Sequence, residues 1–168
     1  TMKLEIGKAF KRRAATEKKT QEKRDLEIAA ARQPRARELH YDNVRSAMAE
    51  EGVLRMLLRE PALFDRTGGL TEETFSVPMF GKVFSVWKQR HLEDLPLDLS
   101  CLAEGLSSAE MSHLTGVLQK QDAPLSDDAF DDCVRIIREE YRHAQVSDAS
   151  SLRAMQESLR KKKGYGGT

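Results

Sequence analysis

Apolar residues recur along this chain at helical spacing, and nowhere do they alternate strictly over the length of a strand. Phe80, Val83, Phe84 and Trp87 fall at i, i+3, i+4 and i+7 behind Pro78, which predicts an amphipathic helix with a core-facing stripe. From Val44 to Leu58 the apolar positions Val44, Ala47, Met48, Val53, Leu54, Met56, Leu57 and Leu58 grow so dense that the second half is apolar on most sides. That is the pattern of a central core helix, and Pro61 supplies its stop. After the Gly68-Gly69 turn, Thr71 followed by Glu72 and Glu73 caps a short helix through Phe75. Asp98 caps another, holding Leu99, Leu102 and Ala103, and Gly105 fits its end. Ser107 and Glu110 have capping-box spacing ahead of Met111, Leu114 and Leu118. Ser126-Asp127-Asp128 opens the longest helix, with Phe130, Cys133, Val134, Ile137, Tyr141 and Ala144 on one side.

Two segments behave differently. Near Val146-Ser147-Asp148 the pattern stumbles, because Ser and Asp favour caps over helix interiors, and Leu152, Met155 and Leu159 then resume it. This predicts a hairpin of two helices, with one bent continuous helix as the alternative. Residues 3–32 are rich in Lys, Arg, Glu, Gln and Ala, favour helix locally, and carry no large apolar residue between positions 11 and 25. A long linker helix is expected there, stopped by Pro34. The fold class is therefore all-α: a basic helical linker arm over residues 1–43, a multi-helix bundle over 44–125, and a C-terminal helical hairpin over 126–168.

Charge sharpens this division. Residues 1–38 hold 12 Lys/Arg against 6 Asp/Glu, residues 39–134 hold 8 against 17, and residues 135–168 hold 8 against 4. An acidic middle thus carries basic ends. The arm's Lys11-Arg12-Arg13 and Lys18-Lys19 clusters suit nucleic-acid phosphates, but Glu17, Glu22, Asp25 and Glu27 dilute them and no aromatic residue is interleaved, so a solvated linker is the favoured reading. No stretch approaches the ~20 apolar residues of a membrane span, and the protein is expected to be cytoplasmic with no membrane partner. Thr1 ahead of Met2 reads as a cloning remnant, so the chain is expected to be a piece of a longer protein.

Catalytic signatures are missing. Cys101 and Cys133 lie far apart, and His40, His91, His113 and His143 have no second ligand nearby in sequence. The acids Asp127, Asp128, Asp131 and Asp132 are explained by the dipole of the helix they open, and Gly68-Gly69 lacks the Lys-Ser/Thr of a phosphate loop. Neither an enzyme nor a cofactor is expected, which leaves a binding module. Its most attractive element is the narrow stripe Leu152, Met155 and Leu159, which either docks into a partner or packs on its own hairpin mate.

The run Glu51-Gly52-Val53-Leu54-Arg55-Met56-Leu57-Leu58, then Pro61, Leu63 and Phe64, then Phe75, Phe80, Val83-Phe84 and Trp87, resembles the helicase-binding C-terminal domain of bacterial DnaG-type primases. The resemblance continues through Phe130 to Ile137 and Arg160-Lys161-Lys162-Lys163-Gly164-Tyr165, covering residues 44–165. It implies a bundle similar in fold to the N-terminal domain of the replicative helicase and associated with stimulating it, followed by a hairpin that docks on a hexameric DnaB-type helicase. By position in that hairpin, Leu152, Met155 and Leu159 would be the apolar anchors and Arg142, Arg160 and Lys161 the charges around them. The chain lacks the zinc ligands and acidic catalytic cluster of a whole primase, so no primer synthesis of its own is expected. The alternative function is nucleic-acid binding through the basic termini.

Overall fold

A computed structural model of the chain describes residues 17–28, 30–34, 39–120 and 126–164, the last four for their backbone only. It separates into two units, Thr1–His40 and Tyr41–Thr168. In the first, residues 17–28 and 30–32 are helical and exposed throughout, with Lys18–Glu22 and Lys23–Glu27 ion pairs along the surface. The basic cluster Lys11-Arg12-Arg13 lies outside the described residues.

The second unit is built from four α-helices: α1 (Val44–Arg59), α2 (Pro78–Leu92), α3 (Ser108–Leu118) and α4 (Asp127–Gly164). Single 3-10 segments at Pro61–Arg66, Glu72–Thr74 and Ser100–Leu102 connect them. No described residue forms a strand, and the all-α class stands. No helix of the described residues is long and apolar enough to cross a membrane.

Local signals set the boundaries. Asn43 Oδ1 accepts the Ser46 N–H at 3.0 Å and starts α1, Pro78 occupies the first turn of α2, and Ser107 and Glu110 form the capping box of α3. The Asp98 carboxylate accepts the Cys101 N–H at 3.0 Å over the Ser100–Leu102 turn. Helix α1 contacts α2, α3 and α4 and buries Ala47, Val53, Leu54 and Leu57 completely. Helix α2 contributes Phe80, Val83, Phe84 and Trp87, none of them exposed, and each such side chain is worth roughly 1.5–3 kcal/mol on burial. The α2 backbone passes so close to the Glu72–Thr74 turn that a Cβ on Gly81 would sit 2.5 Å from the Glu72 carbonyl oxygen, so only glycine fits.

Because α1 is buried nearly all round between Ser46 and Leu57, the polar residues of that stretch are buried too. Glu50, fully inaccessible, accepts hydrogen bonds from Ser46 Oγ (2.8 Å), Ser76 N and Oγ (2.7 Å each) and the Val77 N–H (3.1 Å). It thereby supplies the N-terminal approach to α2 with the acceptor that Val77 itself does not provide. Burial pushes its carboxyl above the usual range, and those four hydrogen bonds pull it back.

Where a hairpin was expected over 126–168, the described residues form one helix. Ser126 Oγ caps it by accepting the Ala129 N–H at 3.2 Å, and α4 runs unbroken for 38 residues from Asp127 to Gly164. The Ser147-Asp148 signal was too weak to break it, since such residues cost only tenths of a kcal/mol and neither Gly nor Pro interrupts the backbone between Asp127 and Lys163. The first half of α4 is core, with Phe130, Val134 and Ile137 buried against the bundle. Arg66 pairs with Asp127 at 3.0 Å and with Asp131, and Arg45 meets Glu140 at 2.6 Å. Asn43 Nδ2 also donates to Glu140 at 2.8 Å, and that hydrogen bond is the leading reason the Glu140 carboxyl lies below its ordinary range.

Replacing Glu50 by Gln keeps its shape but presents an N–H group to donors that need an acceptor. Glu50→Gln is expected to lower the unfolding free energy by about 1–3 kcal/mol in chemical denaturation, whereas an unchanged midpoint and slope would contradict the role assigned to its carboxylate.

Candidate docking surface

Every side chain of α4 from Arg142 to Arg160 is exposed, so this helix passes from core to solvent within a turn of Ile137 and Tyr141. The anchors expected from the sequence lie on this free stretch: Leu152 is 60% exposed, Met155 62% and Leu159 54%. The i, i+3, i+7 spacing puts them on one side of the helix. At about 100° per residue they also fall within about 60° of Phe130, Val134 and Ile137, the residues that the first half buries. The tail therefore carries the same apolar face as the bundled half with no neighbour among the described residues to cover it, and the alternative that the stripe packs on a hairpin mate is removed with the hairpin. Asp148 lies on that face between the two halves, and Val146, also exposed at 66%, lies off it.

Arg142 and Arg160 are exposed beside the stripe, as expected. The backbone of Lys161 is helical, and its side chain is outside the described residues. Arg142 Nε donates to the Arg138 carbonyl at 3.4 Å, a contact within the helix. Arg153, absent from the sequence-based set, is equally exposed and adjoins the same stripe. Its alignment with the other two follows from the continuity of α4, because separations of 11 and 7 residues are close to three and two helical turns.

The bundle holds a second polar cluster that the sequence did not reveal. Tyr41 Oη donates to Glu51 Oε1 at 2.8 Å and lies 2.5 Å from His113 Nε2, while Lys120 pairs with the other Glu51 oxygen. With its one proton directed at Glu51, the Tyr41 oxygen accepts from His113. Arg55 Nη2 donates to the Lys120 carbonyl at 2.9 Å. Burial raises the Tyr41 hydroxyl pKa, with Glu51 adding to the rise, and burial lowers that of the His113 imidazole. The cluster binds the start of this unit to the end of α3. His91 stacks on Phe64 with ring centroids 5.1 Å apart. Asp127 and Asp131 are committed to Arg66, and among the described residues no three His, Cys, Asp or Glu side chains are grouped to hold a metal ion.

The sequence profile of the DnaB-like helicase N-terminal domain matches residues 42–140, which runs from the start of the bundle to the last anchored turn of α4. No curated protein and no solved structure matches the chain significantly. The match ends at residue 140, two residues before the stretch of α4 whose side chains are all exposed.

Since Leu152, Met155 and Leu159 touch nothing that holds the bundle together, Leu152→Ala and Leu159→Ala are expected to shift stability by less than about 0.5 kcal/mol. Thermal and chemical unfolding measure this, and a loss of 2 kcal/mol or more, on the order of a core truncation, would show the face to be covered within the chain.

Proposed function

The chain belongs to the DnaB-like helicase N-terminal domain family, and on that premise we propose that it is the helicase-binding module of a bacterial DnaG-type primase. In this reading residues 41–141 form the bundle that influences the helicase. The free half of α4 is the element that attaches to a hexameric DnaB-type replicative helicase, coupling primer synthesis to unwinding. The observation that carries the reading is the uncovered apolar row Leu152, Met155 and Leu159 on a helix that continues past the matched residues. An amphipathic helix of this kind docks into a groove through a few anchors. The module has attachment as its task, and primer synthesis belongs to other parts of the parent enzyme.

The family match favours a second reading, in which the chain is itself a piece of a DnaB-type helicase and receives a primase. Nucleic-acid binding through the basic arm has less support, because Lys18 and Lys23 are each paired with a glutamate four residues on.

The test is co-migration on a sizing column of the purified chain with the hexameric helicase of the same organism at moderate salt. Co-migration lost on deleting residues 147–168 from an otherwise folded protein supports attachment through α4, and retained binding by that truncation overturns it. Binding to primase instead selects the second reading, and steeply salt-dependent binding to single-stranded DNA selects the arm. Leu159→Ala is expected to weaken the complex by about 1–3 kcal/mol in a calorimetric titration, as a buried anchor does.

A further inference from the structure

Four arginines of the bundle are committed to acids of this chain, and three of the tail are not. Arg45, Arg66, Arg90 and Arg135 each meet an Asp or Glu of this chain. Arg142, Arg153 and Arg160 are exposed and form no ion pair among the described residues. Separations of 11 and 7 residues are close to three and two full turns, so the three guanidinium groups start from one line along α4, about 16 Å and about 10 Å apart. Between them the line holds Val146, Ala149 and Gln156, which are neutral; Asp148 projects elsewhere, and Glu157, four residues after Arg153 and three before Arg160, stands beside the row without forming an ion pair to either among the described residues. The line lies about 100° around the helix from Leu152, Met155 and Leu159.

We infer that Arg142, Arg153 and Arg160 form a recognition row for carboxylates, and that the surface α4 docks on is an apolar groove edged by acidic side chains at matching intervals. This rests on the reading of α4 as the attachment helix and specifies the chemistry of the surface it meets. The occupant is an acidic protein groove on the replicative helicase and not a phosphate backbone. A nucleic acid would satisfy the arginines while leaving the three apolar anchors in water, and no Phe, Trp or Tyr lies between residues 142 and 160 to stack on bases. An acidic groove satisfies both rows together. The tail also extends as a basic arm from an acidic body: residues 142–164 hold 6 Lys/Arg against 2 Asp/Glu, while residues 39–134 hold 8 against 17. An acidic partner therefore repels the body and attracts the tail, which orients the encounter.

The two rows then have separable kinetic tasks, with exposed charges governing association and buried anchors governing dissociation. Surface-immobilised hexameric helicase and the full chain, measured across a range of salt, test this. The triple variant R142E/R153E/R160E is expected to associate at least about ten-fold more slowly with a flattened salt dependence. Leu152→Ala with Leu159→Ala is expected to accelerate dissociation with an association rate close to that of the unaltered chain. Because all five positions are solvent-exposed, a circular-dichroism spectrum matching the parent's confirms that folding is intact. A triple variant that keeps its association rate and salt slope overturns the inference, as does one that loses binding to an oligothymidylate probe while keeping the helicase. Failure of the unaltered chain to bind the helicase overturns the attachment reading itself, and the inference with it.

Discussion

Everything in the bundle depends on one helix being surrounded. Helix α1 is inaccessible along most of its length, and a helix in that position cannot keep a polar side for water. Its polar residues Glu50, Glu51 and Arg55 must therefore be satisfied from within. Glu50 gathers the chain ahead of α2, Glu51 gathers Tyr41 and Lys120, and Arg55 holds the Lys120 carbonyl. The apolar residues of α1 drive collapse, and its acids fix which neighbours stand where.

The elements were readable where a single local cause acts. Pro78, the Ser107–Glu110 box and the Phe80 to Trp87 stripe set their helices whatever surrounds them. The buried carboxylates were not readable, because Glu50 and Glu51 look like an ordinary polar side until the helix is enclosed. Their partners stand up to 69 residues away in the chain. The expected hairpin failed for a related reason: Ser147 and Asp148 express a preference, and a preference of tenths of a kcal/mol does not break a helix without Gly, Pro or a competing contact.

The candidate docking surface was legible as an apolar row and only partly as a charged one. Leu152, Met155 and Leu159 stood out because they repeat over short distances. Arg153 is separated by more than one turn from the other two arginines, and it joins them only once the backbone between is known to be a single unbroken helix. A hairpin would have scattered the three. The correction to the fold is thus what makes the row visible.

That continuity also fixes a phase. The core residues Phe130, Val134 and Ile137 and the exposed Leu152, Met155 and Leu159 share one side of one rod, so the orientation of the bundle is transmitted to the tail without a joint. A bound partner sets the bundle's azimuth as well as its distance, in the way a keyed shaft sets a wheel. One extra residue in the exposed course near Gln145 would leave both surfaces chemically intact and turn one by about 100° relative to the other. The length between the bundle and the apolar row therefore decides their relative direction, whatever residues fill it.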